Sequence, residues 1–291
     1  MKQLIGLAIS IICVGCFSKD KNTENEKEVL DTITSKTTKT ESVINNAANG
    51  DGILWGFSNE AGKEILNINN DTIITASDYT HTISKEGKLI PIHFIKQKKA
   101  TSEDNNRQNY YNFGASGGYL FAIENGNVNS DQTTILLSKD FVASHTVLPF
   151  HSMKKNELLP QEMASKISAS KERKIKKQRA LIDIDQVGKI YLVEFEIKKD
   201  SALVSLVLVT PTTIVYKDFP AQYDEMSTWG VDDGGEFGLE YYTVIAVFKN
   251  KGNLEIITDW SGVEGNSTEY LKQEGNTFKR IKTGYRYTSP L

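Results

Sequence analysis

Apolar residues along this chain fall mostly in short runs separated by polar turn signals, the pattern of β-strands rather than helices. In the first half the runs predict strands at Ile53–Ser58, Asp71–Ser77, Tyr79–Ser84, Ile90–Ile95, Tyr119–Glu124, Thr133–Leu137 and His145–Leu148. Asn69-Asn70, Glu86-Gly87, Asn125-Gly126-Asn127 and Ser138-Lys139-Asp140 mark turns between them. β-Branched and aromatic residues dominate the runs, as a pleated, half-buried surface requires. The polar stretch Lys96–Asn112 reads as a mobile loop.

The period changes near residue 160. Pro160 suits a first helical position, no Gly or Pro follows as far as Arg179, and Met163, Ile167 and Ile175 fall near one helical stripe. Lys166, Lys171, Arg173, Lys174, Lys176, Lys177 and Arg179 make this segment basic. It reads as a solvated helix face packed on a sheet, with an anionic partner surface as the sharper alternative.

Strand text resumes with Ile190–Ile197, the almost wholly apolar Ala202–Val209, Thr213–Lys217, Tyr241–Lys249, Leu254–Trp260, Ser267–Gln273 and Thr277–Ile281. Lys249–Asn253 and Gln273–Asn276 read as hairpin turns. The expected fold class is mainly β: antiparallel sheets, sandwich or propeller-like, with one basic helix near 160–180. The expected body is an N-terminal β region over 51–150, a helical linker over 151–180 and a C-terminal antiparallel β region over 181–291.

The N-terminus is different. Lys2 precedes the short apolar run Leu4–Val14, and Gly15 supplies a small residue before Cys16. This is the layout of a signal peptide over 1–15, too short for a spanning helix. Val14-Gly15-Cys16 resembles the bacterial lipobox, with Cys13 where leucine is usual. The resemblance implies cleavage after Gly15, a diacylglyceryl thioether on Cys16 and acylation of its new amine. Several acyl chains give firm attachment, because each buried CH₂ contributes about 0.8 kcal/mol. Ser18-Lys19-Asp20 after the cysteine resembles the surface-export signal of Bacteroidetes lipoproteins, with Lys21 in place of a second acid. The expected partner is therefore the membrane, through the lipid on Cys16, and the expected location is the outer membrane of the cell envelope, facing the periplasm or the surface. Residues 16–50 are polar and read as a flexible tether.

Composition narrows the function. The two cysteines, Cys13 and Cys16, both lie in the address segment, so the body has no disulfide or thiol chemistry. A net charge of −3 gives no basic field for nucleic acid. No nucleophile elbow, zinc helix, phosphate loop or dinucleotide fingerprint occurs. His145 and His151 lack a metal-ligand spacing, and His81 and His93 stand alone.

Ile182–Val193 and Val244–Ile257 share an order of apolar strand, polar glycine turn and apolar strand. With Trp260–Gly265 they resemble degenerate FG-GAP repeats, the blades of integrin-type β-propellers; packed β-sheets would give the same text. Asp183, Asp185 and Gly188 resemble the start of a calcium loop, against the plainer reading of an acidic turn. Calcium is the one cofactor the residues suggest. Trp229, Asp232, Asp233 and Glu236 form an acidic, aromatic, glycine-rich loop suited to a cation or to sugar hydroxyls, against the plainer reading of a surface loop with core aromatics. No residue stands out as catalytic. The expectation is a membrane-tethered, non-enzymatic binding or accessory protein with a glycan or protein partner. The alternative is a polysaccharide or peptidoglycan hydrolase using carboxylates among Asp232, Asp233, Glu236 and Glu240.

Overall fold

The structure is a computed structural model that describes residues 52–68, 75–230 and 233–288. The signal peptide, Cys16, the tether, most of the expected strand at 71–77 and Asp232 lie outside the described residues. The fold is mainly β and its sheets are antiparallel.

Strands β1 (Ile53–Ser58), β2 (Glu64–Asn67), β3 (Tyr79–Ile83), β4 (Leu89–Lys98), β5 (Gly118–Ile123) and β6 (Thr134–Ser138) close into a small barrel in the order β1-β2-β5-β4-β3-β6. Closure removes the free edges that strands this short would otherwise expose. Helix α1 (Lys139–Ser144) starts where the Ser138 hydroxyl accepts the Phe141 N–H at 3.1 Å, and it turns the chain out of the barrel.

The remaining strands are β7 (Thr146–Val147), β8 (Phe150–Ser152), β9 (Ile175–Ile184), β10 (Gly188–Phe195), β11 (Ser201–Val209), β12 (Ile214–Gln222), β13 (Tyr242–Asn250), β14 (Asn253–Ser261), β15 (Gly265–Glu274) and β16 (Thr277–Tyr287). They form a ten-stranded sheet, β7-β13-β14-β15-β16-β12-β11-β10-β9-β8. Neighbours are antiparallel except β12 and β16, which touch in parallel at Tyr216 and Thr277. The two outermost strands, β7 and β8, are joined by only Leu148-Pro149, so the sheet curls until its ends meet.

Inside the curl, Leu192, Leu206, Val247, Ile256 and Leu271 form one core. The outer face is covered in two places. The barrel's Ile53, Trp55 and Ile135, with Phe141 of α1, pack on Ala246, Phe248, Ile257 and Tyr270. Helix α2 (Gln161–Lys171) and Leu159 pack through Ile167 on Tyr191, Val193, Phe195 and Val207. Burial on both faces explains why Ala202–Val209 and Val244–Phe248 are apolar without alternation.

Three local features differ from expectation. Helix α2 ends at Lys171, where Glu172 takes a left-handed conformation and its N–H closes on Ala169 and Ser168. Residues 175–180, good helix formers, are instead drawn into β9 by pairing with β10, so Lys176, Lys177 and Arg179 sit on a strand. Lys96–Lys98 extend β4, and the loop beyond is held in place. The Asn112 side-chain amide donates to Asp104 Oδ1 at 2.7 Å and Ser116 Oγ at 2.9 Å, and Gln108 exchanges hydrogen bonds with the backbone of Tyr287. Strand β2 has no counterpart among the sequence-derived strands.

Candidate binding groove

Phe237 and Leu239 of the acidic, aromatic segment are buried in the core inside the curl, and Trp229 packs against it. Asp233 organises this segment: one carboxylate oxygen accepts the N–H of Thr228 at 2.9 Å and of Gly235 at 2.8 Å, and the other accepts Trp229 at 2.6 Å and Gly230 at 2.7 Å. Burial opposes its ionisation, but the four amides together outweigh burial and hold the carboxyl below the usual aspartate range. Gly235 must be glycine here, since its φ is +73° and an added Cβ would stand 3.0 Å from the Asp224 carbonyl oxygen. Trp229 stands edge-on to Phe237, ring centroids 5.4 Å apart, and Phe237 stacks on Trp260 at 4.2 Å. Trp229 is thus a half-buried member of an aromatic cluster. Glu236 points outward and faces Lys177 Nζ at 3.5 Å.

Asp183 and Asp185 lie at the end of β9 and the turn into β10. Asp183 faces Lys189 Nζ at 3.5 Å and Asp185 faces His151 Nε2 at 3.5 Å, so each already has a nitrogen neighbour. No group of three or more potential metal ligands occurs among the described residues. The two segments with repeat-like text form the β9–β10 and β13–β14 hairpins of the ten-stranded sheet.

A further concavity takes in Glu236 and Glu240 of the acidic loop but otherwise falls outside the sequence-derived sites. It is a groove of about 900 Å³ between α2, the first half of β9 and the loop Glu236–Glu240. Five consecutive residues of β9, Ile175 to Arg179, line it together with Ala164, Ser165 and Ser168 of α2. A strand that contributes consecutive residues presents its edge as well as a face. Strand β8 pairs with β9 only at Ile182–Ile184, so among the described residues Ile175–Ala180 pair on one side alone, with β10. Alternate residues of such an edge direct both N–H and C=O into the groove.

The polar groups around this edge are fixed. Lys176 Nζ donates to the buried Glu194 at 2.6 Å, which raises the lysine's affinity for its proton against the opposing effect of burial. Arg179 reaches across the groove. Its Nη1 donates to the carbonyls of Leu239 and, at 2.8 Å, of Tyr242. Burial lowers the guanidinium's proton affinity and the nearby Glu240 partly restores it. The Lys177–Glu236 pair bridges the two walls, and with both side chains more than half exposed it contributes little and can open. The lining mixes lysines, glutamates and apolar Leu158, Ile175 and Leu239.

No family model, curated protein or solved structure matches this chain. The groove is therefore read from its own chemistry, which is a strand edge, a small-residue helix face and a salt bridge that can part. Sequence reasoning missed it because a free edge depends on where β8 stops. The one local signal was the lysine-rich run at 174–177, which suits an exposed edge strand as well as a helix.

Proposed function

We propose that this protein is an outer-membrane lipoprotein of the cell envelope, tethered through Cys16, whose β body is a non-enzymatic binding module for an extended segment of a partner protein. The observation that carries the reading is that, among the described residues, the edge of Ile175–Ala180 is unpaired inside a groove of about 900 Å³. An added strand gains affinity from main-chain hydrogen bonds and specificity from alternate side chains, here against α2 on one side and the Glu236–Glu240 loop on the other. The spent carboxylate of Asp233 and the Lys177-paired Glu236 favour binding over paired-carboxylate hydrolysis. The signal-like residues 1–15, Cys16 and the polar tether support display at a membrane surface.

Selection of displayed random peptides on the full chain in non-ionic detergent tests the binding reading. Binders should be lost at least tenfold in Ser165→Trp, which fills the groove from an exposed position on α2. Peptides that bind Ser165→Trp as tightly as the unaltered protein would contradict it.

A further inference from the structure

A second concavity lies where the barrel meets the curled sheet, and its chemistry differs from that of the groove. This cleft of about 340 Å³ takes Lys85 from the β3–β4 turn and Gln132 from the approach to β6. From the sheet it takes Ser152 of β8 and Arg179 of β9, and from the turn that follows β8 it takes Lys155. Among the described residues, no Asp or Glu lines it. In a chain with 37 acidic residues and a net charge of −3, a wall with three cations and no carboxylate is a local reversal of sign.

None of the three cations is in an ion pair. Among the described residues neither Lys85, Lys155 nor Arg179 has a carboxylate within ion-pair distance. Arg179 is held by carbonyl oxygens, which fix its position, and the nearby Glu240 offsets only part of its charge. Its Nε is buried with no hydrogen-bond partner among the described residues. Lys85 and Lys155 are solvated, and only the half-buried Arg179 carries a desolvation cost that an anion in the cleft would offset.

We propose that this cleft binds a small phosphomonoester. Three cations exceed what one carboxylate would balance, whereas a phosphomonoester carries a charge of about −1.5 to −2 at neutral pH and three acceptor oxygens. Lys85 and Lys155 close on those oxygens from opposite bodies of the fold, and Arg179 supplies a fixed positive field from the floor. The volume is at the lower end for ligand sites, roughly 300–1,000 Å³, and leaves room beyond the phosphate for a small polyol facing Ser152 and Gln132. The inference does not rest on peptide binding in the groove, because Lys85 belongs to the cleft alone.

The test is calorimetric titration of the full chain with inorganic phosphate and with glycerol 3-phosphate, at ionic strength held constant with chloride. Both should bind saturably at one site, the ester more tightly. Lys85→Ala should weaken each by about tenfold, the size of one charge-assisted hydrogen bond, and Lys85→Ala with Lys155→Ala should abolish binding. Both lysines are exposed, so the variants should keep the melting temperature of the unaltered protein in the absence of ligand. Absence of saturation, exclusion of the ester, or unchanged affinity in the double variant would each overturn the proposal.

Discussion

Trp55 of the barrel lies against the backbone of Gly284 in β16: a Cβ added to that glycine would stand 2.4 Å from the indole Cδ1, and the indole N–H donates to the neighbouring Thr283 carbonyl at 3.0 Å. Gly284 keeps β16 bare at the point where β1 docks on it. The glycine is needed for space rather than for backbone conformation. Gly284→Ala should therefore destabilise the protein by about 1–3 kcal/mol, as overpacking does. Gly114→Ala, where nothing lies within 4 Å, is the control. Urea unfolding of the two variants checks this, and equal midpoints would contradict the close approach.

Asp259 forms the polar counterpart of that contact. Its buried carboxylate accepts the Thr133 hydroxyl at 2.9 Å and N–H at 3.3 Å from the barrel side, and Thr268 at 3.0 Å and Asn266 at 2.8 Å from the sheet. Two hydroxyls meet Oδ1 and two N–H groups meet Oδ2, so Asp259→Ala leaves all four without this acceptor. The expected loss is about 2 kcal/mol, measurable by thermal unfolding. A neutral effect would show that the carboxylate does not join the two bodies.

Asp233 predicts a pH dependence confined to its loop. Its folded pKa lies below that of the unfolded chain, so it binds fewer protons when folded. The stability it contributes is complete above the unfolded value, near 3.8, and is lost as the pH falls through the lower folded value. Amide exchange at Thr228, Trp229, Gly230 and Gly235 should accelerate over that window more than exchange in β10. In Asp233→Asn the acceleration should be present already at neutral pH. Loop amides that track the global transition in both proteins would contradict the assignment.

Trp229 separates a structural from a ligand-facing role. Because its ring meets Phe237 and is half buried, Trp229→Ala should cost about 2 kcal/mol, less than the 3–5 kcal/mol of a fully buried aromatic. Chemical denaturation reads this directly. A midpoint that does not move would return Trp229 to the surface.

Some of this fold was legible in the text of the chain and some was not. The strand runs of β1, β11, β13 and β14 were clear because their β-branched and aromatic residues are buried on one or both faces. Strand β2 was not, since Glu64-Ile65-Leu66-Asn67 is too short to show a period. The expected helix runs past Lys171 because Arg173 to Arg179 has helix-forming composition, and pairing with the following strand β10 draws it into a sheet. In the acidic loop the residues were visible but their use was not. A carboxylate that ties four amides has the same spelling as one that waits for a ligand. The groove and the cleft are made by long-range meetings, β9 with the Glu236–Glu240 loop and the barrel with the sheet, which no local pattern encodes.

The free edge of β9 can be tested most directly by hydrogen exchange on the unliganded full chain. Between Lys176 and Ala180, amides directed at β10 should be protected like the β10–β11 ladder, and the alternate amides directed into the groove should exchange orders of magnitude faster. Uniformly slow exchange across all of these residues would mean that the edge is already occupied, and would contradict the reading of this protein as a strand-accepting binding module.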